Sequence, residues 1–215
     1  MRLYRIKYVI TTLLFLSLMT SVYTQETEVV ESELDSLALK MFKDVSERNY
    51  EGIMDMTHPK VFDFVSKDMM INAFKSMLEG NDEFSIALSD EIPDYNISEK
   101  FRDEENDTDF AFVDYDMKMS MTFKNESFDD TMKDEIIKMM VLQGMEATFV
   151  SDNTISVVMP NRITILVNDA TTDDKWAMIN YDPDSPIFFK LLSAQVLEKA
   201  KSYHEDLMIE KKKKE

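Results

Sequence analysis

From Asp109 to Phe123 the chain alternates between apolar and polar side chains. Ala111, Val113, Tyr115, Met117, Met119, Met121 and Phe123 share one face; Asp114, Asp116, Lys118, Ser120 and Thr122 share the other. Successive strand residues point to opposite sides, so the pattern predicts a long antiparallel strand with one buried and one wet face. Such a strand needs partners at its edges and a layer over its apolar side. Phe84, Ile86 and Leu88 alternate in the same way, as do Tyr95, Ile97 and Phe101. Four short strands are predicted over Glu146–Val150, Thr154–Met159, Arg162–Val167 and Lys175–Tyr181. Between them SDN, PN and NDATTDD are turn chemistry. DEENDTD, Asp103 to Asp109, reads as a seven-residue hairpin loop.

The covering layer is legible as helical spacing. Val30, Leu34, Leu37, Met41 and Val45 recur at three and four residues, predicting a first helix that ends near Ser46–Asn49. A second runs from Tyr50 to Met56 and stops before Thr57-His58-Pro59, since the residue before proline avoids helical backbone. A third spans about Ser66 to Leu78, with Ser66 and Asp68 as caps and Gly80-Asn81 as its stop. A helix from Phe128 to Gln143 interrupts the strands. A last helix starts near Pro186 and carries Phe188, Leu192, Val196, Ala200, Tyr203 and Leu207. With no repeat or linker, residues 25–209 form one α+β domain, followed by a basic tail at 210–215.

The first 24 residues are of another kind. Arg2, Arg5 and Lys7 precede a 12-residue apolar run, Tyr8 to Met19. That is too short to span a bilayer, which takes about 20 residues, and is the size of an export signal's core. Val22 and Thr24 suit a peptidase cut between Thr24 and Gln25. The expected chain is secreted or periplasmic, with no membrane insertion after cleavage; the alternative is an uncleaved anchor. Cleavage removes three positive charges and deepens the formal charge from −18 to −21. Such a surface repels phosphate backbones, so nucleic acid is excluded as a partner and anionic lipid is disfavoured. The one basic run, Lys211–Lys214, suits the C-terminal end of a helix dipole.

At Asp44 to Phe74 (DVSERNYEGIMDMTHPKVFDFVSKDMMINAF) the chain resembles the cystatin-like, ketosteroid-isomerase-like superfamily. An amphipathic helix leads to Asn49-Tyr50, an apolar Ile53 and then Pro59; the third helix and the long strand fit the same layout. The resemblance implies a cystatin-like roll, N-terminal helices on a curved antiparallel sheet, with an apolar pocket between them. The inserted helix and the long C-terminal helix depart from that layout. The resemblance implies no activity, because the fold hosts many functions.

Composition narrows the chemistry. The chain has no Cys, 2 His and 3 widely spaced Gly. This excludes disulfides, thiolate nucleophiles, a three-His metal centre and a glycine-rich phosphate loop. No cofactor and no metal is expected. Neither Asp103–Asp109 nor Asp169–Asp174 has the sixth-position glycine or closing glutamate of a calcium loop. Asn96, Asn106 and Asn125 head Asn-x-Ser/Thr tripeptides, which matter only in a eukaryotic secretory pathway. A catalytic reading, a small isomerase or dehydratase, has only His58 and Tyr115 to use. Its weakness is that the inward strand face carries Met117, Met119 and Met121 where carboxylates are needed. Those methionines, with Tyr115 and with Trp176 as a lid, form instead the expected ligand-binding set. They serve either as plain core or as a soft apolar surface. The leading expectation is a non-catalytic domain binding a small apolar ligand or a protein. The enzyme is one alternative; a structural module that dimerises through its sheet is the other.

Overall fold

The computed structural model describes residues 30–183, 185 and 187–214. The expected export segment, 1–24, and its cut lie outside the described residues. Helix α1 covers residues 30–46 and buries Leu34, Ala38, Met41 and Phe42, one face of a 3.6-residue period. Asp44 is buried at its end, accepting hydrogen bonds from Lys40 and, at 2.9 Å, from the Asn49 amide. Asn49 caps α2 (Tyr50–Met56), accepting the Gly52 N–H at 3.2 Å. A Cβ on Gly52 would lie 2.4 Å from both the Asn49 amide and the Asp44 carboxylate, so this cap needs the space glycine leaves. Pro59 opens a short 3-10 helix, Pro59–Asp63. Then α3 (Lys67–Leu78) starts at its Ser66 cap, with Asp68 in the first turn rather than capping.

Among the described residues the sheet has seven strands. They are β1 (Phe84–Leu88), β2 (Tyr95–Ile97), β3 (Phe101–Asp103), β4 (Thr108–Phe123), β5 (Glu146–Phe149), β6 (Thr154–Asn168) and β7 (Ala177–Asn180). Every strand pairing is antiparallel, and the sheet is open. β4 and β6 form its spine. β1, β2 and β3 line up along the outer edge of β4, and β5 and β7 along β6. Helix α4 (Asp130–Leu142) is inserted between β4 and β5. The chain closes with α5 (Phe188–Leu191) and α6 (Ala194–Lys214).

The long strand was expected to have a wet face, and half of it does not. Phe110, Phe112 and Asp114 all lie on that back face and are buried. They are covered by α5 and α6 through Phe188, Leu191, Leu192, Val196 and Ala200. Burying each aromatic side chain there contributes roughly 1.5–3 kcal/mol. The front face of the same half packs Ala111, Val113, Leu166 and Met178 on α1. Only beyond Tyr115 does one-sided alternation hold, with Asp116 and Lys118 exposed. A third cluster joins α2 and α3 over β1, around Tyr50, Ile53, Met54, Ile71 and Leu78.

Three more boundaries differ from expectation. The two strands expected at Thr154–Met159 and Arg162–Val167 are one bulged strand, β6. The register steps from Tyr115↔Arg162 to Met117↔Met159, so Pro160 and Asn161 together face Asp116. Asn161 takes the left-handed conformation (φ 53°) and its N–H donates to the Asp116 carboxylate at 2.9 Å. The hairpin loop after β3 holds only residues 104–107. The last helix breaks at Leu192-Ser193, and α6 then runs through the lysines expected as a tail, Lys211 donating to Glu146.

Candidate functional site

The front face beyond Tyr115 carries Met117, Met119 and Met121 on β4, register partners of Met159, Val157 and Ile155 on β6. All three β4 methionines are half-buried, whereas Val157 and Ile155 are buried. Helix α3 stands over one edge of this area: Ile71 and Leu78 cluster with Leu88 of β1. Helix α4 stands over the other. Phe128, just before it, packs on Phe123 and Phe149 at 5.0 and 5.8 Å, and Lys133 in its first turns lies 5.7 Å from the Phe149 ring. Each helix leads into an edge strand, α3 into β1 and α4 into β5, and the methionine row of β4 lies between those two edges. At the α1 end Phe42 closes the row, edge-on to Tyr115 at 5.0 Å.

Tyr115 and Trp176 both pack on the α1 cluster, but the expected five-residue set is not one site. Ala177, next to Trp176, is paired with Val167; Met121 is paired with Ile155. From 155 to 167 the strand advances twelve residues, roughly 40 Å at about 3.3 Å each. Trp176 therefore lids nothing over the methionines; it seals the opposite end of the front face.

His58 and Tyr115 are not brought together either. The His58 N–H donates to the Met178 carbonyl at 2.9 Å, and Met178 aligns through Leu166 with Ala111. Tyr115 is four residues further along, roughly 13 Å, and β7 lies two strand spacings from β4. The His58 ring is fully buried and both its nitrogens are occupied inside the protein. Nδ1 accepts the Lys60 N–H at 3.3 Å; Nε2 lies 3.4 Å from both Asp169 Oδ2 and Thr171 Oγ1. Burial lowers the His58 pKa, and the neighbouring Asp169 carboxylate offsets this only in part, so the ring is neutral at pH 7.

Asp169 is the centre of that cluster, whereas the sequence places it in a turn whose carboxylates lack calcium-loop spacing. Its Oδ1 accepts the Thr171 N–H at 2.8 Å and the Thr171 hydroxyl at 2.6 Å, and its Oδ2 accepts Lys60 Nζ at 3.0 Å. Burial alone would raise its pKa, but these hydrogen bonds outweigh it and hold the carboxyl at about 2. Beside the cluster, a cleft of about 320 Å³ opens between the β6–β7 loop and the α5–α6 junction. Two buried carboxylates on the back of the sheet, Asp114 and Asp103, were also missed. Asp114 accepts the Tyr203 hydroxyl at 2.7 Å and the Asn96 amide at 3.2 Å. Asp103 accepts the Ser193 hydroxyl at 2.5 Å and the Asn106 amide at 2.9 Å. The legible sign of both was the pair Phe110 and Phe112, which break the alternation and require a second covering layer.

Among the described residues no group of three or more His, Asp or Glu is placed to hold a metal ion. Among the same residues no helix is long and apolar enough to cross a membrane. A scan against protein-family models finds no match, and a search of curated proteins finds no similar sequence.

Proposed function

We propose that this chain is an exported, non-catalytic binding domain of cystatin-like architecture whose methionine face receives the apolar side of a basic protein segment. The observation that carries the reading is the half-buried row Met117, Met119 and Met121, lying between the β1 and β5 edges without a carboxylate or histidine among them. Methionine is flexible and polarisable, and suits a surface that must fit an apolar partner of irregular shape. The row is half-buried, so part of it reaches solvent, and neither of the two best-formed clefts among the described residues includes it. Such a face fits a segment of chain better than a small molecule, which is held in a cavity. Its borders supply the sign of the partner. Glu79, Asp82, Glu83, Asp90, Glu91 and Asp94 flank β1, against two cations that reach the same edge, Arg48 at the Ile86 carbonyl and Lys124 at the Asn81 carbonyl. On the other side, the 126–135 stretch holds five carboxylates and one lysine.

The test uses a synthetic amphipathic Leu/Lys helix as the probe, a scrambled peptide of the same composition as control, and Met119→Ser as the variant. Losing one buried thioether of roughly 1.5 kcal/mol weakens binding of the amphipathic peptide by about tenfold. Equal binding of the scrambled peptide, or an unchanged affinity in Met119→Ser, would reduce the interaction to charge alone and refute the reading.

A further inference from the structure

Apart from the methionine face, we infer that the cleft between the β6–β7 loop and the α5–α6 junction is a second binding site, for a small organic carboxylate with a short apolar body. Four apolar residues, Val167, Leu191, Leu192 and Val196, are part of the lining, each almost wholly buried. The polar part of the lining includes two lysines, Lys60 and Lys190, together with Asn106 and Thr171. In a chain of formal charge −18, this lining holds two ammonium groups against the one carboxylate of Asp169.

The charges facing the cleft can be summed group by group. Lys60 gives one donor to Asp169 at 3.0 Å, and an ammonium has three. Among the described residues Asp169 is the only carboxylate in the lining, and Thr171 and Lys60 occupy both its oxygens. It is spent inside the protein and offers little to a ligand. Lys190 has no carboxylate partner among the described residues; its Nζ lies 5.6 Å from the Phe64 ring. His58, behind Asp169, is neutral. Asp103 lies behind Ser193, where four hydrogen bonds from Ser193, Asn106 and Glu105 use its charge at the start of α6. What remains for a ligand is the Lys190 ammonium, the unused Lys60 donors and the smaller apolar part of the lining. That combination binds an anionic head with a short hydrocarbon body. At about 320 Å³ the cleft is at the small end of small-molecule sites, which favours a free acid over a peptide.

The probe is hexanoate, with hexanamide as its neutral isostere, titrated into the ¹⁵N-labelled chain in low-salt buffer. Hexanoate shifts the amide signals of Asn106, Ala170, Thr171 and Ser193, and hexanamide binds about tenfold more weakly, the worth of one charged hydrogen bond. Lys190→Met reduces hexanoate affinity by a similar factor and Lys190→Arg restores most of it. Lys190 is exposed, so neither variant threatens the fold. Equal binding of the two probes, shifts confined to another surface, or an affinity indifferent to Lys190→Met would overturn the assignment. Met119→Ser leaves hexanoate binding unchanged, so failure of this site and failure of the methionine face are read separately.

Discussion

Replacing Tyr203 by phenylalanine removes one hydroxyl and nothing else from the seam between α6 and the sheet. The ring stays packed on Phe112, 5.0 Å between centroids. What is lost is the 2.7 Å hydrogen bond to Asp114, a carboxylate only 8% exposed whose other oxygen has just the Asn96 amide at 3.2 Å. A hydrogen bond to a charged group contributes about 1.5–3 kcal/mol, and the stranded carboxylate has little water to replace it. Tyr203→Phe should therefore lower unfolding stability by about 2 kcal/mol in urea titrations. For a domain of this size that is about 4–8 °C in Tm. Adding Asp114→Asn should recover part of the loss, because the buried charge goes with its partner. The pH dependence has a definite sign. Burial first, and then the Asp114 carboxylate, raise the Tyr203 pKa above its ordinary 10. The folded chain thus holds this proton more tightly than the unfolded chain does. Its contribution is complete below pH 10 and declines as pH rises above it. The wild type should lose stability more steeply than Tyr203→Phe in that alkaline range. A loss below about 0.5 kcal/mol, the ordinary level of surface substitutions, would mean that Asp114 is hydrated and that α6 does not seal the back face.

The His58 cluster should be visible on the acid side. A lowered histidine pKa means that the unfolded chain takes the proton first, so stability falls as pH drops below about 6.5. His58→Gln should flatten that slope, leaving only the share of His204, whose pKa burial also lowers. The Asp169 contribution, present above about pH 4, should disappear only as pH approaches 2. Ser193→Ala removes the hydroxyl that binds Asp103 and accepts the Val196 N–H at 3.3 Å. The cost should be about 1–2 kcal/mol in urea unfolding, with an unchanged m-value because the fold is retained.

Local chemistry was the legible part of this chain. The α2 boundaries, the Ser66 cap and the methionine row all follow from spacing and cap preference, because each is decided within a few residues. Asn49, Tyr50 and Ile53, the residues that carried the resemblance, have structural work: a cap, a buried ring bonded to Glu79 at 3.1 Å and a core contact. What stayed hidden depends on partners far along the chain. Asp114 looked like a wet-face residue because its partner Tyr203 is 89 positions away. His58 and Asp169 are 111 positions apart and meet only because His58 is fastened to β7 at Met178. Pro160-Asn161 read as a turn because a bulge and a turn use the same left-handed asparagine. Trp176 and Met121 share a sheet face, but side-chain period says nothing of distance along it.

If Met117, Met119 and Met121 are a working surface rather than spare core, their methyl groups should report a bound partner. The direct measurement is ¹³C-methyl spectroscopy of methionine-labelled protein, titrated with the amphipathic Leu/Lys peptide. These three methyl signals should move together and saturate. Met208, 43% exposed on α6 and on the opposite face, should stay in place. Movement of Met208 to the same extent, or stillness of the three strand methionines at saturating peptide, would contradict that role.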